Sequence, residues 1–248
     1  MRVFFVEKRG MVLILGVIVL LFIALTVGVS NSPSPQFTTS LSDREGQPIY
    51  QGSSEKKEIA LTCNVFWGEE FLPRMLAILE EKDVQITFFM GGIWAEKFPG
   101  LTKQILEAGH EIGSHGYSHP HPDRLSKDDN LEDILKCEQV IKKITGKKPA
   151  LYAPPYGERG PAVLQAAEEA GYTTILWSID TVDWKHPKPE AIVNKINNNA
   201  HNGAIVLMHP TAPTVHAMPQ IIDELRKQDF TLVTVSEMLQ DDRQGKSS

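Results

Sequence analysis

The sequence predicts an α/β domain in which parallel strands are connected by helical crossovers. Short apolar runs of the β type alternate seven times with stretches of helical spacing, and strict alternation of this kind is typical of parallel sheets. Four glycines stand near the ends of helical stretches, where a helix commonly stops: Gly109, Gly146, Gly171 and Gly203. The pattern fits either an open, doubly wound sheet or a closed barrel.

The elements follow one another without a long gap. The predicted strands, each a short apolar run, are Glu58–Cys63, Gln85–Phe89, Glu111–Ser114, Ala150–Ala153, Thr173–Ser178, Ala204–Met208 and Thr231–Val233. The predicted helices, in which apolar residues recur three or four positions apart, cover residues 69–82, 99–108, 128–145, 161–170, 189–200, 216–228 and 235–240. Neither a Gly-x-Gly-x-x-Gly motif nor a P-loop is present, so nucleotide binding on an open sheet has no support.

Composition and charge exclude several classes of protein. The 248 residues are 42% hydrophobic and 23% charged, which excludes wholesale disorder and fibrous repeats. The formal net charge is −6, and an acidic balance argues against nucleic acid as a partner. Two cysteines cannot form a disulfide framework or a four-thiolate zinc site. We expect Cys63 and Cys137 to be buried free thiols, with Cys63 facing away from its neighbour Asn64 in the strand.

The first thirty residues are predicted to attach the chain to a membrane. Residues 11–29 carry no charge and are about long enough to cross a bilayer. Arg2, Lys8 and Arg9 precede them, so residues 1–10 are expected in the cytoplasm and the rest outside, as a single-pass protein of the cell membrane. A cleaved signal peptide, which would leave the domain secreted, is the alternative.

The rest of the chain is predicted to divide into three segments. Residues 30–57 contain Ser, Pro, Gln and Lys with no sustained apolar period, which is typical of a linker. Residues 58–240 form the folded domain, which we expect to be a monomer. Residues 241–248 are a polar tail of the kind that frays.

Unusual polar residues follow the predicted strands, and the carboxyl ends of parallel strands are where α/β proteins build their sites. They are Asn64, His115, His119, Pro154, Pro155, Tyr156, Gly157, Asp180, Asp183, Trp184 and His209. Two imidazoles four residues apart in a Gly- and Pro-containing loop suit Zn, Co, Ni or Fe, although a pair of ordinary loop histidines has the same spacing. A carboxylate at Asp183 could orient His209 as a general acid; a helix-capping Asp beside a structural His is the alternative.

From about Glu58 to Leu239 the chain resembles the polysaccharide deacetylase family, the NodB-homology domain of carbohydrate esterase family 4. Five motifs carry the resemblance in order: Leu61–Val65, His115–His119, Ala153–Gly157, Asp180–Trp184 and Ile205–His209. The resemblance implies a deformed (β/α) barrel of about seven strands and hydrolysis of the acetamide C–N bond of an N-acetylated cell-wall glycan, either peptidoglycan or a chitin-like polymer. It also implies a divalent metal (Zn, Co or Ni).

The resemblance assigns roles to individual residues. His115 and His119 would bind the metal, and the backbone N–H of Tyr156 would stabilise an oxyanion. His209, oriented by Asp183, would protonate the leaving amine. Contact with the sugar is expected from Trp184, Tyr156 and Pro155, and Trp94 is a further candidate for stacking on a sugar ring. Packing at the rim of the barrel is the alternative for these aromatic residues.

Several positions depart from the family's pattern. Asn64 stands where the family has its catalytic base, Val65 where it has the metal-binding Asp, and Ala153 where an Arg holds the base. Asn cannot accept a proton near neutral pH and Val cannot bind a metal. Gly116 replaces the family's Ser or Thr. Sporulation-associated members, which the residues Phe66–Glu69 resemble, also lack the metal-binding Asp but usually keep the base.

Two functions therefore remain open from the sequence. One is a deacetylase with weak or altered activity, in which Glu69 or Glu70 would have to substitute for the missing base. The other is a catalytically inactive protein that binds cell-wall glycan on the same fold.

Overall fold

The computed structural model describes residues 46–244, and in that range it contains eight strands, all parallel. The strands are β1 (Glu58–Val65), β2 (Thr87–Met90), β3 (Glu111–Ser114), β4 (Leu151–Tyr152), β5 (Thr173–Thr174), β6 (Ile179–Asp180), β7 (Ala204–Met208) and β8 (Thr231–Val233). The α-helices are α1 (Leu72–Glu81), α2 (Gly92–Lys97), α3 (Pro99–Glu107), α4 (Lys127–Thr145), α5 (Pro161–Glu169), α6 (Pro189–Asn199), α7 (Ala212–Lys227) and α8 (Val235–Gln244). Short 3₁₀ turns cover Pro122–Arg124, Pro155–Gly157 and Asp183–Lys185.

The sheet has the strand order β5-β4-β3-β2-β1-β7-β6, with β8 paired to β1. The strands β5 and β6, at opposite ends of this order, belong to one extended segment of the chain. Within that segment the Ile175 N–H donates to the Tyr152 carbonyl at 2.8 Å, and the Ser178 N–H donates to the Ile205 carbonyl at 3.0 Å. A single segment therefore joins both ends of the sheet, which makes the fold a deformed barrel rather than an open sheet.

Side-chain alternation along β1 separates the core from the site. Leu61, Cys63 and Val65 are fully buried in the main apolar cluster, whereas Asn64 points to the other face of the strand, as the period of two requires. Cys63 and Cys137 are buried free thiols, and burial raises the pKa of the Cys63 thiol. The predictions for both cysteines are confirmed.

The local sequence determines where the long helix α4 begins and ends. The Ser126 hydroxyl accepts a hydrogen bond from the Asp129 N–H at 3.1 Å, which is an N-cap that satisfies one of the free amides of the first turn. Gly146 closes the helix with φ of +75°, a left-handed conformation that glycine adopts at little cost. This helix lies beside the loop that carries His115 and His119.

Parallel strands with helical crossovers are confirmed, but three elements differ from the prediction. The run predicted as one strand at Thr173–Ser178 is divided between β5 and β6, because the segment changes its partner from β4 to β7 along its length. The six-residue helix α2 was not predicted, since it is too short to show a period. Helix α7 begins at Ala212 rather than at residue 216, because the Thr211 hydroxyl caps it by accepting from the Thr214 N–H.

Part of the segment predicted to be a linker packs against the domain. Ile49 is buried, and its N–H donates to the Thr174 carbonyl at 2.9 Å. The Gly52 N–H donates to the Gly203 carbonyl at 2.8 Å. At the other end, the predicted tail begins inside α8, which continues to Gln244.

The predicted membrane segment at 11–29 and the basic end at 1–10 lie outside the described residues. Between residues 46 and 244, none of the helices is both long and apolar enough to span a bilayer.

Candidate functional site

A cleft of about 460 Å³ opens where the strands end. It is lined by Asn64, Phe66, Trp67, His115, His119, Tyr156, Trp177, Asp180, Trp184, Leu207 and His209. Most of the predicted site residues therefore meet in one place, as expected for the carboxyl ends of parallel strands. Asp183 is buried behind His209. Pro155 is also buried and is not among the lining residues.

One side of the cleft is a hydrogen-bonded unit around Asp183, whose side chain is inaccessible to solvent. Its Oδ1 lies 2.8 Å from the Nδ1 of His209. Its Oδ2 accepts from the His209 backbone N–H and from the Thr214 hydroxyl, each at 2.6 Å. Because a carboxylate only accepts, the Nδ1 of His209 carries the proton and the Nε2 is the free ring nitrogen. The geometry is that of an oriented histidine.

The two predicted metal ligands lie in the loop after β3. His115 is 3% exposed, and its Nδ1 lies 2.7 Å from the Ala153 carbonyl. Because a carbonyl can only accept, the proton is on Nδ1 and the lone pair on Nε2. Burial lowers the pKa of His115 to about 3, and burial also lowers the pKa of His119. The ring centroids are 5.0 Å apart, so two neutral imidazoles lie side by side near neutral pH.

These residues supply only part of a catalytic metal site. Such a zinc site usually has three protein ligands and one open position. Among the residues that the structure describes, no three His, Cys, Asp or Glu side chains are grouped so that they could hold a metal ion. Val65, at the position of the family's metal-binding Asp, is fully buried among apolar side chains. The donor set fits a two-histidine half-site and does not fit a three-ligand centre.

The position of the family's base is occupied by an amide without a partner. Asn64 is 5% exposed, and its Oδ1 is one of the buried side-chain oxygens in the described range that has no hydrogen bond. Ala153 packs in an apolar cluster with Phe89 and Ile175. Glu69 and Glu70 do not line the cleft, so neither is placed to substitute for the base.

Aromatic side chains form much of the remaining wall. Trp184 and Tyr156 are exposed, and Trp67 stacks nearly parallel on the His209 ring with the centroids 5.8 Å apart. Tyr156 has φ of +59° and stacks on His121 with the centroids 4.0 Å apart. Flat apolar faces beside polar groups are what a sugar-binding site needs.

Sequence reasoning missed part of this wall and misplaced one residue. Phe66, Trp67 and Trp177 line the cleft although none was predicted to contact the sugar. The position of Trp67, three residues after Asn64, was the available signal, because it lies at a strand end. Trp94 is 3% exposed and packs on Phe98, so the suggestion that it stacks on a sugar ring is wrong.

Comparisons with known proteins agree with this geometry. A family model described as polysaccharide deacetylase matches residues 51–175. The uncharacterized protein YlxY of Bacillus subtilis is 37% identical over 82% of this chain, which spans only 64% of that relative. A peptidoglycan-N-acetylglucosamine deacetylase of Bacillus cereus is 39% identical over 78% of this chain and 93% of its own length.

One solved structure with a similar fold is described as a pseudoenzyme rather than as a deacetylase. It is the protein BA3943 of Bacillus anthracis, described as a CE4 family pseudoenzyme, with a TM-score of 0.78 and 38% identity over 84% of this chain and 72% of its own. A mutant of BA3943, described as having restored enzymatic activity, also has a TM-score of 0.78, with 37% identity over 84% of this chain and 75% of its own.

Proposed function

Because the chain belongs to the polysaccharide deacetylase family, we propose that it binds N-acetylated cell-wall glycan in the cleft and hydrolyses it slowly if at all. The observation that carries this proposal is Asn64, a neutral amide that lies at the base position with an unpartnered oxygen. A positioned general base typically contributes about 10²–10⁴-fold to a rate, and Asn64 cannot supply it. Binding needs none of the missing groups.

The polar groups of the cleft suit a ligand that brings hydrogen-bond donors. The free Nε2 of His115 is an acceptor in the wall of the cleft. The amide N–H or a hydroxyl of an N-acetylated sugar would donate a hydrogen bond to it. The faces of Trp184 and Tyr156 would pack on the ring. Two Bacillus cereus relatives are peptidoglycan-N-acetylglucosamine deacetylases, which supports peptidoglycan as the polymer.

Slow deacetylation is the second candidate, and the intact Asp183–His209 pair favours it. His209, once its free Nε2 had taken up a proton from water, could pass that proton to a leaving amine, and the backbone N–H of Tyr156 could stabilise an oxyanion. A divalent ion such as Zn²⁺, Co²⁺ or Ni²⁺, held weakly by His115 and His119, would polarise the acetyl carbonyl. The chain supplies no group for activating water at the base position.

Glycan binding is tested with a soluble N-acetylglucosamine oligomer by calorimetry. Trp184→Ala should weaken binding by about 10-fold, equivalent to about 1.4 kcal/mol of lost ring contact. The matched control is Tyr50→Ala, because Tyr50 is an exposed aromatic residue that does not line the cleft. Absence of binding by the wild-type chain would contradict the proposal. Slow but measurable acetate release would favour the second candidate, whereas release at roughly 1 s⁻¹ or faster, typical of enzymes, would contradict both.

We also propose that residues 11–29 anchor the chain as a single-pass membrane protein with its domain outside the cell. The support is the uncharged run behind Arg2, Lys8 and Arg9 and the need for a wall-binding domain to reach its polymer. Protease added to intact protoplasts should digest the domain. Full protection of the domain would contradict this topology.

A further inference from the structure

We propose that Asp133 of α4 is a positioning residue that holds the loop carrying His115 and His119 in its binding geometry without a metal. This inference rests on the proposed function only in that the loop forms part of the glycan-binding cleft. Asp133 itself does not line the cleft. It acts through the loop backbone, which separates it from the residues that would touch a ligand.

The Asp133 carboxylate receives three hydrogen bonds from the loop. The Tyr117 N–H donates to Oδ2 at 2.7 Å, and the Ser118 N–H donates to Oδ1 at 3.0 Å. The Ser118 hydroxyl also donates to Oδ1, at 2.7 Å. Hydrogen bonds to an ionised acceptor are roughly twice as strong as neutral ones. Both carboxylate oxygens are therefore committed to two consecutive residues that lie between the histidines.

The opposite side of the loop backbone is held by the start of helix α2. The Gly92 N–H donates to the Gly116 carbonyl and the Ile93 N–H donates to the Tyr117 carbonyl, both at 2.9 Å. The carbonyls of the loop are thus bound by one helix and its amides by the side chain of another. This arrangement can hold His119 at φ of +55°, a conformation that costs a non-glycine residue about 1–3 kcal/mol and needs support from its surroundings.

Gly116 shows that the carboxylate occupies space next to the loop. Its φ is +76°, and a Cβ at this position would lie 2.7 Å from the Oδ2 of Asp133. A Ser or Thr, which the family pattern has here, would be strained and would collide with the carboxylate. The absence of a side chain at Gly116 therefore leaves the space that the Asp133 carboxylate occupies.

The test compares Asp133→Ala and Asp133→Asn with the control Glu132→Gln in the full-length chain. Glu132 is the exposed neighbour on the same helix. Two quantities are measured: amide hydrogen exchange of residues 115–119 without metal, and the affinity for ZnCl₂ by calorimetry. We expect Asp133→Ala to accelerate exchange in this loop by at least about 10-fold while the core of α4 stays protected. Zinc affinity should fall by about 10-fold, the usual lower bound for losing a supporting group.

The graded variants separate positioning from general stability. Asp133→Asn keeps one carbonyl acceptor and should lie between wild type and Ala in both measurements, while Glu132→Gln should change neither. Exchange that is unchanged in the loop of Asp133→Ala, or that rises equally throughout α4, would overturn the proposal. If the wild-type chain bound neither zinc nor glycan, the proposed function would fail, yet loop exchange would still decide the role of Asp133.

Discussion

The two sides of the cleft differ in how completely their polar groups are paired. On one side, both oxygens of the Asp183 carboxylate are hydrogen-bonded, to His209 and to Thr214. On the other side, the Oδ1 of Asn64 is buried without a partner and Ala153 is part of an apolar cluster. The first side looks like the family's machinery, and the second has lost it.

The difference shows why a retained motif is weak proof of catalysis. Asp183 joins the 3₁₀ turn after β6 to the backbone after β7 and to helix α7, so it has a structural reason to remain whether or not anything is hydrolysed. The base and its Arg form a unit of a different kind. Losing both together leaves no unpaired charge in the site, whereas losing either one alone would.

The largest expected effect comes from restoring the missing groups on the side of the cleft that carries Asn64 and Ala153. The triple variant Asn64→Asp, Val65→Asp and Ala153→Arg should raise acetate release from an N-acetylglucosamine oligomer, with added Zn²⁺, by about 10²-fold or more. It restores the general base, the metal ligand and the Arg that holds the base at the same time. The effects of residues that act as a unit are strongly non-additive. The single variants should therefore gain little.

The burial of Val65 and Ala153 predicts that single substitutions at these positions lower the stability of the domain. Ala153 and Val65 are almost completely buried among apolar groups, so Ala153→Arg or Val65→Asp alone should destabilise the domain, which a thermal melt would detect. Two results together would mean that the base does not act from the side of the cleft that carries Asn64. They are acetate release by the wild-type chain at a rate typical of enzymes, and no change of that rate in Asn64→Ala.

The second prediction concerns stability and compares the same two sides. Asp183→Ala should lower the free energy of unfolding by about 3 kcal/mol or more, because it leaves buried donors of His209 and Thr214 without acceptors. Asn64→Ala, the matched control, should cost about 1 kcal/mol or less, because the Oδ1 of Asn64 has no partner to lose. Urea unfolding of both variants measures the contrast. Equal losses would show that the two sides are equally integrated in the fold.

The smallest expected effect is on pH dependence and uses a buried histidine outside the cleft. Burial lowers the pKa of His110 to about 4, and its Nδ1 accepts from the Ile86 N–H at 3.3 Å. Below the unfolded value of about 6.5 the unfolded chain binds a proton that the folded chain refuses, so stability falls as pH drops from about 6.5 to about 4.

Substitution of His110 isolates its contribution to the change of the free energy of unfolding with pH. His110→Asn keeps an acceptor for Ile86 and should remove about 1.4 kcal/mol per pH unit from the acid slope. Urea unfolding at pH 6.5, 5.5 and 4.5 measures it. A slope identical to that of wild type would show that His110 titrates normally in the fold.

The sequence predicted the fold better than the walls of the cleft. The rule that sites form at strand ends placed His115, His119 and His209 together, because strand position depends on a local apolar period. The contribution of Trp67 and the burial of Trp94 depend on side-chain direction after a strand and on a helix too short to show a period. The packing of Ile49 depends on contacts more than a hundred residues away, which no local pattern contains.

The way residues 46–52 enter the domain has a consequence for access to the cleft. Gln51 pairs with Ala204, the first residue of β7, and Gly52 bonds to Gly203 just before it. This segment therefore joins the barrel at the amino edge of the sheet, whereas the cleft opens at the carboxyl edge. None of its residues lines the cleft. A long polymer can therefore lie in the cleft without meeting this segment.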